Sequence, residues 1–272
     1  MPNLIGSLTK MIRDRKSKWI LILSFFVLLG SAPAKPMRQA TLLPSPTVCR
    51  SAGETRLVTA AFIGPVGLYL PPCYNPDSGF LYPVLYLLPG AGGSPKTWID
   101  AGVAARADEA ILQGDIPPFL IIMTDDTLED ISPDTIVGSL IPYVENHYPV
   151  RSDRLHRAVA GGSLGGYSAY ALAFQHPELF ASAGVFGNGL VTGMAEKTRA
   201  ILLAIPPEQK PRVFLNSGES DTYLLQHAQM LIPLLDEAGI SHMEVFNRGS
   251  HSYDYWLSNF PAYFRWLARD WM

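Results

Sequence analysis

The chain has 272 residues, 48% hydrophobic and 17% charged, with 21 basic against 24 acidic residues and a net charge of −3. That composition is too apolar for a disordered chain and lacks the basic excess of a nucleic-acid footprint, so no nucleic-acid partner is expected. Two cysteines and no H-E-x-x-H pattern leave no metal site, and no cofactor is expected.

Lys10, Arg13, Arg15, Lys16 and Lys18 precede an apolar run over residues 19–29, broken only by Ser24. Gly30, Ser31, Ala32, Pro33 and Ala34 follow it. A basic flank, a short apolar stretch and an Ala-x-Ala-like end predict a signal peptide over residues 1–34. A spanning helix needs about 20 apolar residues, more than this run supplies. An uncleaved anchor is the alternative, and only through it would the chain meet a membrane; Met11 competes with Met1 as the initiator. Cleavage removes five basic residues and one acid, taking the net charge from −3 to −7. The mature protein is then acidic, which favours neutral or apolar substrates over anionic polymers. The expected location is secreted or periplasmic. An oxidising compartment permits Cys49 and Cys73 to pair; two buried free thiols are the alternative.

Residues 35–54, rich in Pro, Ser and Thr over most of their length, read as a linker or extended lead-in to a domain over 55–272. RLVTAAF and VGLYLPP flank Gly64-Pro65 and predict an antiparallel hairpin at a sheet edge. PVLYLLPG, FLIIM, RAVAG, SAGVF, RVFLNS and HMEVFN follow as short, mostly solid apolar runs. Between them lie helical patterns: AARADEAILQ, IVGSLIPYVENHY, YSAYALAFQ, TRAILLAI and YLLQHAQMLIPLLDEAG, with YWLSNFPAYFRWLARDW closing the chain. Short buried strands alternating with helices mean an α/β domain: a mostly parallel sheet with helices on both faces. Pro142, Pro233 and Pro261 fall inside helical patterns and predict kinked or shortened helices.

Gly161-Gly162-Ser163-Leu164-Gly165 matches G-x-S-x-G. Alone the pattern is weak, but RAVAG leads in and a helix begins just after Ser163. Strand, sharp turn and helix make a nucleophile elbow. The helix start points free backbone N–H groups at the site, so Leu164 N–H is placed to hold a developing oxyanion. A serine hydroxyl needs a base to take its proton and an acid to orient that base. In this fold they follow in the order Ser, acid, His, at the carboxyl ends of strands. His147 and His156 precede the serine, His176 ends the elbow helix, His227 lies inside a helix and His242 starts a strand. His251 alone follows the last strand, in a Gly-Ser-His loop. The acid belongs in GESD after RVFLNS. Asp221, at the loop's end, is the first candidate and Glu219 the reserve. Asp221 also stands where a helix N-cap is needed, so capping competes with that role. The second oxyanion donor comes from the loop in LLPGAGGSPKTW, with Ala91 N–H as candidate.

VGLYLPPCYNP, YPVLYLLPGAGGSPKTW, AVAGGSLGGYSAYALAFQHPELFA, the GESD loop and GSHSYDYW together resemble the putative-esterase family of α/β hydrolases. That group includes esterase D, feruloyl esterases, enterochelin esterases and mycolyltransferases. The resemblance runs from about Leu57 to the C-terminus. It implies the single-domain α/β-hydrolase fold, Ser163, Asp221 and His251 as a triad, and Ala91 and Leu164 as oxyanion donors. Two departures stand out: Pro89 replaces a histidine common in relatives, and Gly162 replaces a larger residue before the serine. Trp98, Phe186, Asn188 and Trp256 fall in loops beside the implied site and are read as pocket lining, with packing as the alternative.

The expected activity is hydrolysis of carboxylic esters through an acyl-enzyme by an exported serine enzyme. Its expected partner is a small-molecule or polysaccharide-linked ester, such as a feruloyl or acetyl ester. Acyl transfer of the mycolyltransferase type and a catalytically silent extracellular binding module are the alternatives.

Overall fold

The computed structural model describes residues 51–60, 63–125 and 135–272. These lie in one compact unit, Gln39–Met272. The other unit, Met1–Arg38, lies outside the described residues, and with it go the segment expected as a signal peptide and most of the lead-in.

Eight strands form one sheet among the described residues: β1 Glu54–Ala60, β2 Gly64–Leu70, β3 Val84–Leu88, β4 Leu120–Met123, β5 Arg157–Gly162, β6 Ser182–Phe186, β7 Arg212–Gly218 and β8 His242–Asn247. Their order is β1-β2-β4-β3-β5-β6-β7-β8. β2 runs antiparallel to both neighbours; β4, β3, β5, β6, β7 and β8 are mutually parallel. The helices are α1 Pro95–Ala101, α2 Val103–Gln113, α3 Ile141–His147, α4 Leu164–Gln175, α5 Ala195–Ala204, α6 Thr222–Glu237, α7 Tyr253–Ser258 and α8 Phe260–Trp271.

The solid apolar runs have a plain cause. β3, β4 and β6 are buried along their whole length, because helices cover both sheet faces. Side chains alternate along β3: Val84, Tyr86 and Leu88 join a core with α3, α4, α5 and α6. Leu85 and Leu87 join a second core with α1, α2, α7 and α8. No helix among the described residues is long and apolar enough to cross a membrane.

The turn expected at Gly64-Pro65 shifts, and the shortened helices expected at Pro142 and Pro261 are found. Gly64 and Pro65 open β2 rather than forming the turn, pairing with Ala60 and Thr59. Pro65 is the second residue of β2 and lies outside the stretch that pairs with β4, Gly67 to Tyr69, a strand-end position where proline is tolerated. Gly53 N–H donates to the Asp108 carboxylate at 3.0 Å and β1 starts at Glu54. The closing helix is two helices, with Pro261 in the first turn of α8, where its missing N–H costs nothing. Pro142 likewise sits in the first turn of α3, behind a wide π-type turn at Ile136–Leu140; Pro233 alone remains inside a helix. Helix α1 has no apolar periodicity to announce it, burying only Pro95 and Trp98.

The second core is largely aromatic. Phe214 is fully buried, with ring centroids of Tyr263, Trp266 and Phe186 at 5.3, 5.6 and 5.9 Å. Truncating it leaves a void that close-packed rings cannot fill. Phe214→Ala is expected to lower stability by about 3–5 kcal/mol in urea unfolding; a loss under about 1 kcal/mol would show that this layer is loosely packed.

Candidate active site

β5 delivers the chain to Ser163, and α4 begins at the next residue. Ser163 sits at φ 55° and ψ −121°, outside the regions an L-residue prefers, and such strain costs on the order of 1–3 kcal/mol. The surroundings over-determine it. Ser163 N–H donates to Phe186 C=O at 2.8 Å. Its C=O accepts from Asn188 Nδ2 at 2.8 Å and from Gly166 N–H at 2.9 Å. A β-carbon on Gly165 would lie 2.4 Å from the carbonyl oxygens of Leu88 and Pro89, so the elbow can close only on glycine there.

His251 stands over the serine, its Nε2 2.9 Å from Ser163 Oγ. On the other side, Nδ1 lies 2.6 Å from Asp221 Oδ2. A carboxylate only accepts, so Nδ1 carries the proton and Nε2 is left to accept from the serine hydroxyl. The Asp221 side chain is 12% exposed and that of His251 36%; the acid is sheltered while the ring faces solvent. Asp221 occupies the N-cap position of α6 but makes no side-chain cap hydrogen bond. The competition between capping and orienting the histidine thus resolves toward the histidine. Glu219 is exposed, its backbone N–H tied to Asn247 C=O at 2.9 Å.

The two loops carrying these groups are fastened together. Ser220 N–H donates to Gly249 C=O at 2.9 Å. Beneath them the Tyr255 hydroxyl donates to Asn247 Oδ1 at 2.7 Å and accepts from Asn216 Nδ2 at 3.1 Å. Asn247 Nδ2 in turn donates to Asn259 Oδ1 at 2.9 Å. Burial pushes the Tyr255 phenol above its ordinary pKa, with the amides around it pulling the other way. It therefore stays a neutral donor.

Leu164 N–H, at the first position of α4, and Ala91 N–H, in the loop after β3, donate to no protein acceptor among the described residues. That loop passes close to the serine: a β-carbon on Gly90 would lie 3.2 Å from Ser163 Cβ. The two candidate donors are thus on segments that border Ser163.

The residues expected to line a pocket behave differently. Trp98 and Phe186 are fully buried and Trp256 is 2% exposed, so they support the site from within the core and offer it no open wall. The packing alternative has a cause visible at Gly162, where a β-carbon would lie 2.4 Å from the Trp256 ring. The indole fills the space that a larger residue before the serine would take, and its ring stands perpendicular to the His251 ring at 5.0 Å and 88°. Asn188 is half-buried and braces the elbow through its bond to Ser163 C=O, a role with no sequence signal. The other histidines are held elsewhere: His147 by Tyr143 C=O, His156 by Asp153, His176 beside Glu178, His227 facing Thr192 and His242 by Ile240 C=O. Among the described residues no group of three or more His, Cys, Asp or Glu side chains could hold a metal ion. Cys73 is disulfide-bonded, while Cys49 lies outside the described residues.

A family model described as "Putative esterase" matches residues 134–267. The chain is 29% identical over 154 residues to an endo-1,4-beta-xylanase/feruloyl esterase of Xylanibacter ruminicola, covering 52% of this chain and 20% of that protein. It is 29% identical over 215 residues to an iron(III) salmochelin esterase of Escherichia coli O6:H1, covering 67% of this chain and 50% of that one. The chain thus spans half or less of the length of either relative. A solved ferulic acid esterase superposes with a TM-score of 0.70 at 19% identity, over 82% of this chain and 99% of the other. The resemblance to the esterase family is borne out, and the sheet is that of an α/β-hydrolase fold.

The contact between Gly162 and Trp256 makes a direct test. Gly162→Ala alone is expected to cost more than about 1 kcal/mol in urea unfolding, by the overpacking it forces. Combining it with Trp256→Phe should cost less than the sum of the two single changes; strict additivity would mean that the indole does not set the size limit at residue 162.

Proposed function

We propose that the chain is an exported serine hydrolase of carboxylic esters. The observation that carries this reading is the unbroken hydrogen-bonded row from the Asp221 carboxylate through His251 to the Ser163 hydroxyl, with the serine on a strained strand-to-helix turn. Esterase relatives and an esterase-like fold support the same class of reaction.

In this reading Ser163 Oγ attacks the ester carbonyl as His251 Nε2 takes its proton. Asp221 fixes the ring's tautomer and stabilises the imidazolium. The oxyanion is held by Leu164 and Ala91 N–H, each such donor being worth on the order of 10²–10³ in rate. The imidazolium then protonates the departing alcohol, leaving an acyl-serine. Water, deprotonated by the same ring, attacks that acyl group and releases the acid and the free hydroxyl.

Acyl transfer to a sugar hydroxyl would use the same three groups, and acceptor competition in a product assay separates it from hydrolysis; the intact row of three groups argues against a silent binding module. A phenolic or acetyl ester on a carbohydrate is the proposed substrate, in line with the feruloyl esterase named among the relatives and with an acidic mature chain. Removal of residues 1–34 as a signal peptide, release of the remaining chain, a lead-in over 35–54 and a domain over 55–272, to the periplasm or medium, and pairing of Cys49 with Cys73 complete the proposal. The basic-flanked apolar run supports export.

Ser163→Ala is expected to abolish turnover of p-nitrophenyl acetate and methyl ferulate, and Asp221→Asn to lower it by up to about 10⁴-fold. Wild-type rates in the serine variant would overturn the mechanism.

A further inference from the structure

Resting on the ester-hydrolase reading above, we propose that Tyr253 is a positioning residue for the oxyanion site, its hydroxyl anchoring the loop that carries Ala91 N–H. Gly90 N–H donates to Tyr253 Oη at 2.8 Å, joining residues 163 positions apart in the chain. Gly90 is the residue before Ala91 and the one whose added β-carbon would meet Ser163 Cβ at 3.2 Å. The bond therefore fixes the backbone next to the donor, on the side that borders the serine.

The loop needs such an anchor. Gly90, Gly92 and Gly93 have no side chains to pack, and Gly92 sits at φ 74°. A backbone so free in conformation aims a donor well only if something outside it sets its position. Pro89, standing where relatives often have histidine, has no polar side chain for the purpose.

Tyr253 itself is rigidly held. Its ring packs edge to face on Trp98 at 4.7 Å and on Trp256 at 4.9 Å. Trp98 Nε1 donates to Leu88 C=O at 3.0 Å, pinning the last residue of β3 just before the loop. Trp256 abuts Gly162 and the His251 ring. Tyr253 also follows His251 by two residues, at the start of α7. Trp98, Tyr253 and Trp256 thus touch the oxyanion loop, the elbow and the histidine loop as one wedge. The spacing between the base and the oxyanion donor is set by the tyrosine hydroxyl.

Tyr253→Phe removes the oxygen and keeps the ring. The variant should lower kcat for p-nitrophenyl acetate by about 10- to 100-fold, less than deleting a donor outright, with KM changed by under about twofold. Affinity for an aryl trifluoromethyl ketone, which presents an oxyanion once the serine adds to it, should fall by the same factor as kcat/KM. The pH-rate profile should keep its midpoint, because His251 and Asp221 are untouched. Unchanged kcat and unchanged inhibitor affinity, or a loss carried by KM alone, would overturn the proposal while leaving the hydrolase reading in place. A wild-type protein inert toward esters and toward a fluorophosphonate probe would instead remove the reading on which the proposal rests. Should the variant fail to fold, hydrogen exchange at Gly90 in the wild-type protein decides: a protected amide is expected, and exchange at the rate of an open loop overturns the anchor.

Discussion

A single residue in an unfavourable backbone conformation organises this molecule. Ser163 is held at positive φ between the end of β5 and the start of α4, and the strain is tolerated because its amide is bonded to the last residue of β6 and its carbonyl to Asn188 just beyond. The same closure explains the glycines around it. Gly161 faces the Gly165 carbonyl, and Gly165 faces the carbonyls that end β3, so the hydroxyl is pushed out of the sheet toward the loops at its carboxyl edge. That is where a parallel sheet with helices on both faces leaves room for a site.

What lies under those loops decides how firmly they are held. On one side is an aromatic layer in which Trp256 touches both the elbow and the imidazole. On the other is a polar knot of Asn216, Tyr255, Asn247 and Asn259 that links β7, β8 and the closing helices. Hydrogen bonds in such a partly buried network reinforce one another and keep a defined geometry. The Asp221 and His251 loops are therefore set by groups remote from the hydroxyl they serve, which is the arrangement that pre-organised chemistry demands.

Much of the architecture was legible in the sequence because its strands are short, solid apolar runs; VLYLL and LIIM have no other reading between helical patterns. The meeting of residues 163, 221 and 251 was legible through the order of the three types and their places after strands. Other features had no local signature. Helix α1 buries too little to show a period, and Pro261 both breaks one helix and starts the next. Sequence position beside the site leaves Trp98, Phe186 and Trp256 open between pocket lining and packing, and only the aromatic layer beneath the loops, which buries them, decides for packing. The absence of bulk at Gly162 became meaningful only with the indole of Trp256 against it, and the bond from Gly90 to Tyr253 joins segments that no periodicity connects.

In the proposed reaction Ser163 Oγ takes the acyl group. Mixing the protein with excess p-nitrophenyl acetate, quenching in acid within the first turnovers and mapping the peptides by mass tests it most directly. An acetyl group on the peptide bearing Ser163, located on that side chain, is the expected result. Ester turnover with that serine unmodified, or the acyl group on another residue, would contradict it.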